Sequence, residues 1–276
     1  MVFSFNSHII TEERIREFLE DTSKAKRICF SRTRKNALWI ALDGNKMFTV
    51  PFNESVGTIL EDKTGISLRQ AKSGNFYRQL KDEEFTKAES FIKEYGDIVF
   101  LRDLLDVSIA LSLNFEEDGK TRTLIGDLEK EAKYDGNASA VRLLAEKVDD
   151  FIDRNHAYRN ADCLCAMPSS NVGETNLPNH IVNRLKRFQG ENISHLISFT
   201  SKTESLKNAE GSNKMEILKH SGLEISPGAD LSGKTVILLD DLYMSGATLQ
   251  FAAMKLQEAG AKKILGLCLV KAFSNN

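Results

Sequence analysis

Long hydrophobic runs are missing from this 276-residue chain. None approaches the roughly 18 residues that a membrane-spanning helix needs. The N-terminus, MVFSFNSHIITEERIREF, lacks a basic leader and a long apolar core, so no secretory signal is expected. Cysteine is scarce, and Cys29, Cys163, Cys165 and Cys268 form no Cys-x-x-Cys pair. Cys163 and Cys165 alternate along one predicted strand and Cys268 lies in another. All four read as small core residues rather than metal ligands or disulfide halves, which fits a reducing cytoplasm. The five histidines show no ligand spacing. Charge of one sign is also lacking: 37 basic against 39 acidic residues leave a net charge of −2. Nothing global therefore indicates a nucleic-acid or membrane partner. No repeat or low-complexity tract stands out. What the chain does have is 41% hydrophobic residues, enough for a proper core in one large or two modest domains.

The most informative stretch is Thr235-Val-Ile-Leu-Leu-Asp-Asp-Leu-Tyr-Met-Ser-Gly-Ala-Thr-Leu249. Val236 to Leu239 is an apolar run of strand length, and Asp240 and Asp241 stand where that strand should stop. Leu249, Ala252, Ala253 and Leu256 recur at helical spacing, so a helix is predicted to start near Thr248. A helix start leaves backbone N–H groups unpaired, and its dipole favours an anion. Gly246 permits a sharp turn and close backbone approach. Ser245 and Thr248 add hydroxyl donors. The carboxylates repel a phosphate but suit its neighbours, either sugar hydroxyls or a magnesium ion held by hard oxygen ligands. A phosphate on the loop beside a diol on the carboxylates describes a ribose 5-phosphate.

This segment resembles the signature of type I phosphoribosyltransferases, which bind 5-phosphoribosyl 1-pyrophosphate (PRPP). That signature is an apolar strand, Asp-Asp, a short spacer and Thr-Thr-Gly-x-Thr. Asp240, Asp241, Gly246 and Thr248 match, Ser245 is a conservative replacement, and Met244 departs by offering no hydroxyl. Leu124 to Ala145, with Lys133-Tyr134-Asp135-Gly136 between two predicted helices, looks like the segment preceding the sheet in ComF-type members. The spacing onward to Met167-Pro168 and Asp240 fits as well. The resemblance spans about residues 108–276. The cysteine-rich zinc ribbon that usually opens ComF-type proteins has no counterpart here.

The resemblance implies an α/β fold with a mostly parallel sheet; residues 1–100 ahead of it look unrelated to the family and read as a small α+β module. It implies that Met244, Ser245, Gly246, Ala247 and Thr248 hold the 5-phosphate. Asp240 and Asp241 would orient the ribose hydroxyls and hold Mg indirectly. The loop after the first core strand would bind pyrophosphate, here through Ser169, Ser170 and Asn171, although Pro168 to Gly173 also reads as an ordinary turn without arginine or lysine. A polar segment, Ser201 to Lys219, corresponds to a closing loop with Lys202, Lys207 and Lys214 as candidate cations, and also reads as a plain surface loop. Three functions stay open. They are Mg-dependent phosphoribosyl transfer, a non-catalytic regulator responding to PRPP or a nucleotide, and an effector subunit of a bacterial antiphage defence complex.

Elsewhere the reading is coarser. The domain boundary is placed near residue 100, where the character changes. Before it, AKRICFSR, ALWIALDG and NKMFTVPF read as strands, with Asp43-Gly44 as a hairpin turn. Ser55 to Lys72 and Lys81 to Tyr95 read as helices. This first module carries no catalytic motif and offers a surface for a protein partner or a second copy. After it come an apolar stretch at 98–115, amphipathic segments at 121–134 and 138–152, and a strand at 162–168. A helix-like stretch around Ile181, Leu185 and Phe188 follows, with further strands at 193–200, 236–240 and 264–271. Strands alternating with helices predict the parallel sheet.

Overall fold

In a computed structural model describing residues 9–32, 38–40, 45–171, 173–201, 212–220 and 222–273, helices and strands alternate along most of the chain. The first part holds α1 (Glu12–Glu20), β1 (Arg27–Cys29), β2 (Leu38–Ile40), β3 (Lys46–Val50), α2 (Val56–Thr64), β4 (Arg69–Gln70), β5 (Phe76–Gln79), α3 (Asp82–Glu94), β6 (Val99–Leu101) and β7 (Val107–Leu113). Then come α4 (Leu124–Tyr134), α5 (Ala138–Arg154), α6 (His156–Arg159), β8 (Cys163–Ala166), α7 (Leu177–Val182), β9 (Glu191–Asn192) and β10 (Ile197–Phe199). The chain finishes with α8 (Ser212–His220), β11 (Leu223–Ile225), β12 (Thr235–Tyr243), α9 (Ala247–Glu258) and β13 (Lys263–Lys271).

Seven strands form the main sheet in the order β1-β6-β7-β13-β12-β8-β9. The run from β7 to β9 is parallel, and β6 and β1 are added antiparallel at one end. The fold is thus α/β with a mostly parallel sheet. The central strands β7, β13, β12 and β8 are largely apolar because both of their faces are covered. In β12, Ile237 and Leu239 join a buried cluster with Val141, Leu144 and Val148 of α5. Val236 and Leu238 point the other way, into a cluster with Leu249, Ala252 and Leu256 of α9. This period-two alternation lets one strand serve two helical layers.

The main sheet runs across residue 100, which lies within β6. Phe30, Phe48, Leu60 and Phe91 from the first hundred residues share a buried cluster with Leu144 and Leu267. Ser55 ties the two parts further: its hydroxyl donates to Leu101 O at 2.7 Å and accepts from Ser108 N–H at 2.8 Å. The small sheet β2-β3-β5-β4 is antiparallel. Its β2–β3 pair matches the expected hairpin, whose Asp43-Gly44 turn lies outside the described residues.

Several local expectations change. The helix expected over Ser55 to Lys72 stops at Thr64, where Gly65 takes a left-handed backbone and closes onto Glu61 O; Arg69–Gln70 then pairs with β5 instead. The apolar stretch 98–115 forms two antiparallel strands, β6 and β7. The strand expected over 193–200 begins as a 3₁₀ turn at Ser194–Leu196, and β10 leaves the main sheet to pair with β11. The helix expected to reach Phe188 ends at Val182. All four cysteines are buried free thiols. Among the described residues, no helix is long and apolar enough to cross a membrane.

Candidate functional site

The chain passes from β8 to β9 on one side of β8, while β12 and β13 lie on its other side. The sheet therefore has a topological switch between β8 and β12. Ligands of open α/β sheets bind outside the carboxyl ends of strands at such a point. Both segments singled out in the sequence, 168–173 and 240–248, emerge there, because β8 and β12 are parallel neighbours.

β12 does not stop at the carboxylates. It continues to Tyr243, held by β13 through Leu242↔Val270 and Tyr243↔Lys271, after its pairing with β8 ends at Leu239↔Ala166. Asp240 and Asp241 thus lie inside a strand, and successive strand side chains point to opposite faces. Asp240 falls on the α9 side. It lines a pocket of about 90 Å³ with Met244, Ser245, Gly246, Ala247 and Thr248. Asp241 falls on the α4 side, where its Oδ2 lies 2.6 Å from Lys133 Nζ.

Asp240 is half-buried, and burial, reinforced by the adjacent Asp241 carboxylate, pushes its pKa up to about 7. Its Oδ1 accepts the Asp241 N–H at 2.9 Å. Lys133 is held above the ordinary lysine range: burial opposes its charge, and the Asp241 carboxylate outweighs that opposition.

The loop itself is shaped from below. Gly246 has φ +79° and directly precedes α9. A Cβ there would come within 2.2 Å of the Tyr243 hydroxyl, so only glycine fits both the backbone and the space. Tyr243 donates to Asp103 Oδ2 at 3.1 Å. Fully buried Gln250 accepts from Leu104 N–H at 3.2 Å and donates to Gly246 O at 3.2 Å. Asp103 is buried, and desolvation raises its pKa to about 6 despite the hydrogen bonds that oppose the rise. No side chain caps the start of α9. The first backbone N–H groups of a twelve-residue helix therefore face the pocket without a protein acceptor of that kind.

The remaining expected residues are placed less closely. Ser169 is half-buried, and Ser170 and Asn171 are exposed. Ser169 Oγ accepts from Asn171 N–H, and Asn171 Nδ2 donates to Glu174 at 2.9 Å. The loop after β8 thus carries a carboxylate and no cation. Lys202 and Lys207 lie outside the described residues, as does the side chain of Lys214. Arg184, Lys186 and Arg187 form a basic cluster after α7, and Arg187 pairs with Asp150 of α5. A larger open groove of about 330 Å³, lined by Glu224, Lys255 and Glu258, holds none of the expected residues.

Sequence reasoning missed Lys133, Asp103, Tyr243 and Gln250 as parts of the site. Tyr243 lay within the motif, but its downward contact is with a residue 140 positions away. Lys133 stands four residues after Glu129, a helix-surface pairing readable from sequence; its tertiary contact was not.

The chain matches no protein-family model, and no curated protein is similar enough to it to count as a relative.

Proposed function

We propose that the chain binds a ribose 5-phosphate unit, as carried by PRPP or a nucleotide, and transfers the phosphoribosyl group of PRPP to an acceptor. One observation carries this reading: a helix start without a side-chain cap, at Gly246 to Leu249, shares a pocket with the Asp240 carboxylate at the sheet's switch point. The backbone N–H groups and the Ser245 and Thr248 hydroxyls suit a phosphate, and Asp240 suits the adjacent sugar hydroxyls.

Among the described residues no cluster of three or more metal-ligating side chains occurs. The donor set still fits magnesium of the kind held by one or two carboxylates together with substrate phosphates. Asp240 and Asp241 would hold it through the ligand, and the ion would offset the charge of the diphosphate. In the reaction the bond from the anomeric carbon to the diphosphate oxygen breaks, and its electron pair leaves with pyrophosphate. The acceptor's lone pair forms the new bond. Positive charge that grows on the ribose ring in between is stabilised by the nearby carboxylates. The chain's contribution is positioning and electrostatics, without a protein nucleophile.

The test is PRPP turnover followed by NMR with magnesium across bases, ammonia and nucleotides, beside a control enzyme. Consumption of PRPP with release of pyrophosphate is expected. Absence of turnover together with absence of calorimetric binding of PRPP and nucleotides would refute the reading. A binding regulator without turnover is the second reading. It is favoured by the loop after β8, which offers Glu174 and no cation to a leaving diphosphate.

A further inference from the structure

Asp241 does not stand alone on the α4 side of β12. Lys133 Nζ, 2.6 Å from Asp241, also lies 3.9 Å from Glu129 Oε1. Glu129 is buried, and its other oxygen lies 4.0 Å from Arg122. A ladder of alternating charges, Arg122–Glu129–Lys133–Asp241, therefore runs along α4 to the edge of the pocket strand. The helix that carries it is docked tightly. The Thr123 hydroxyl donates to Leu113 O at 2.6 Å and accepts from Gly126 N–H at 3.0 Å. Gly126 packs so closely that a Cβ would come within 2.2 Å of Asn114 O. The position of α4 on the end of β7 thus fixes the reach of Lys133.

Two consequences follow from charge and geometry. An ammonium on one oxygen of Asp241 holds that carboxylate in a single orientation, with its other oxygen available to a hydroxyl. The Lys133 side chain also keeps a third of its surface exposed. It is a cation beside a switch point whose other loop, Pro168 to Asn176, contains no lysine or arginine. A doubly charged substituent on the ribose needs such a countercharge, and charge-assisted hydrogen bonds are the strong ones.

We propose that Lys133 is a positioning and anion-recognition residue of this site: it orients Asp241 toward the sugar and favours ligands bearing an anionic group at the anomeric carbon. This inference rests on the ribose 5-phosphate reading above and narrows its ligand to a sugar phosphate charged at both ends.

Calorimetry with ribose 5-phosphate and with PRPP, each with magnesium, tests it on the wild type, Lys133→Met and Lys133→Arg. PRPP affinity should fall roughly tenfold or more in Lys133→Met, the scale of a lost hydrogen bond to a charged group. Ribose 5-phosphate, which loses only the orientation of Asp241, should fall by clearly less than PRPP, and Lys133→Arg should recover most of the PRPP affinity. The ratio of the two affinities separates recognition from scaffolding, since general loosening of the site weakens both ligands alike. Equal losses for both ligands overturn the inference while leaving the ribose 5-phosphate reading intact, and so does an unchanged PRPP affinity. A folded wild type that binds neither ligand overturns both.

Discussion

Replacing Asp240 by asparagine should stabilise the empty protein, and the gain should grow with pH. The pKa of Asp240 is raised from 3.8 to about 7 by burial and then by Asp241. Between those values the folded state keeps a proton that the unfolded state has lost. Wild-type stability therefore falls as pH rises from about 4 to about 7, and the full penalty is present above that. A shift of roughly three units corresponds to about 4 kcal/mol as an upper bound. The side chain is only half-buried, so hydration relieves part of it, and about 2 kcal/mol is a reasonable expectation. Asparagine is neutral at every pH, has nearly the same shape, and its oxygen can still accept the Asp241 N–H. Urea unfolding of both proteins at pH 5 and pH 8 measures the effect. Part of the penalty is already present at pH 5, so the stability difference should widen by about 1 kcal/mol between the two conditions, or a few degrees in Tm. A difference that stays constant, or one that shrinks toward pH 8, refutes the assignment of Asp240 as a strained buried acid. The same variant should lose any stabilisation that PRPP and magnesium give the wild type, because its carboxylate is the group proposed to meet the sugar.

Three further perturbations probe the scaffold of the pocket. Gly246→Ala forces a Cβ onto left-handed backbone 2.2 Å from the Tyr243 hydroxyl. It should lower stability by about 1–3 kcal/mol and remove ligand-induced shifts in Tm, and full retention of both would show that the loop is not built as described. Tyr243→Phe takes a donor from buried Asp103 and raises its pKa beyond about 6. Since the lost hydrogen bond matters most when Asp103 is ionised, the expected loss of about 1–3 kcal/mol should be larger at pH 8 than at pH 5, and equal losses count against the contact. Lys271 is buried, and burial followed by the nearby Arg27 charge lowers its pKa from 10.5 to about 7. Over that window the unfolded chain keeps a proton that the folded chain sheds, so this residue makes stability rise with pH, and Lys271→Met should flatten unfolding curves compared at pH 7 and pH 9.5.

What could be read from the sequence was local. Val236 to Leu239 announces a strand covered on both faces, because nothing polar interrupts it. Ser245 to Thr248 announces a turn into a helix, because glycine and small hydroxyls suit few other roles. The end of β12 was not legible. Two acidic residues look like the edge of a strand, yet pairing with Val270 and Lys271 carries the strand on to Tyr243. That support comes from residues almost thirty positions later, and no local pattern reports it. The ending of α2 at Gly65 was hidden for the opposite reason: one left-handed residue overrode an extended helical pattern. The ladder on α4 was half legible, since Glu129 and Lys133 stand at helical spacing, while the contact with Asp241 spans more than a hundred residues.

The continuation of β12 changes what the adjacent carboxylates can do. If the strand ended at Asp240, both side chains could turn freely into one pocket and grasp one diol together. Inside a strand they cannot, because consecutive side chains leave on opposite faces. Asp240 belongs to the layer of α9 and the turn at Gly246. Asp241 belongs to the layer of α4 and is already paired with Lys133. The two acids are therefore chemically unlike although adjacent in sequence. One is a half-buried carboxylate that Lys133 offsets only in small part, and the other is paired with Lys133 directly and fixed in direction. A ligand that engages both must reach over the edge of the strand, from the helix start on one face to the ammonium on the other. That geometry favours an elongated ligand with separated anionic ends over a single phosphate.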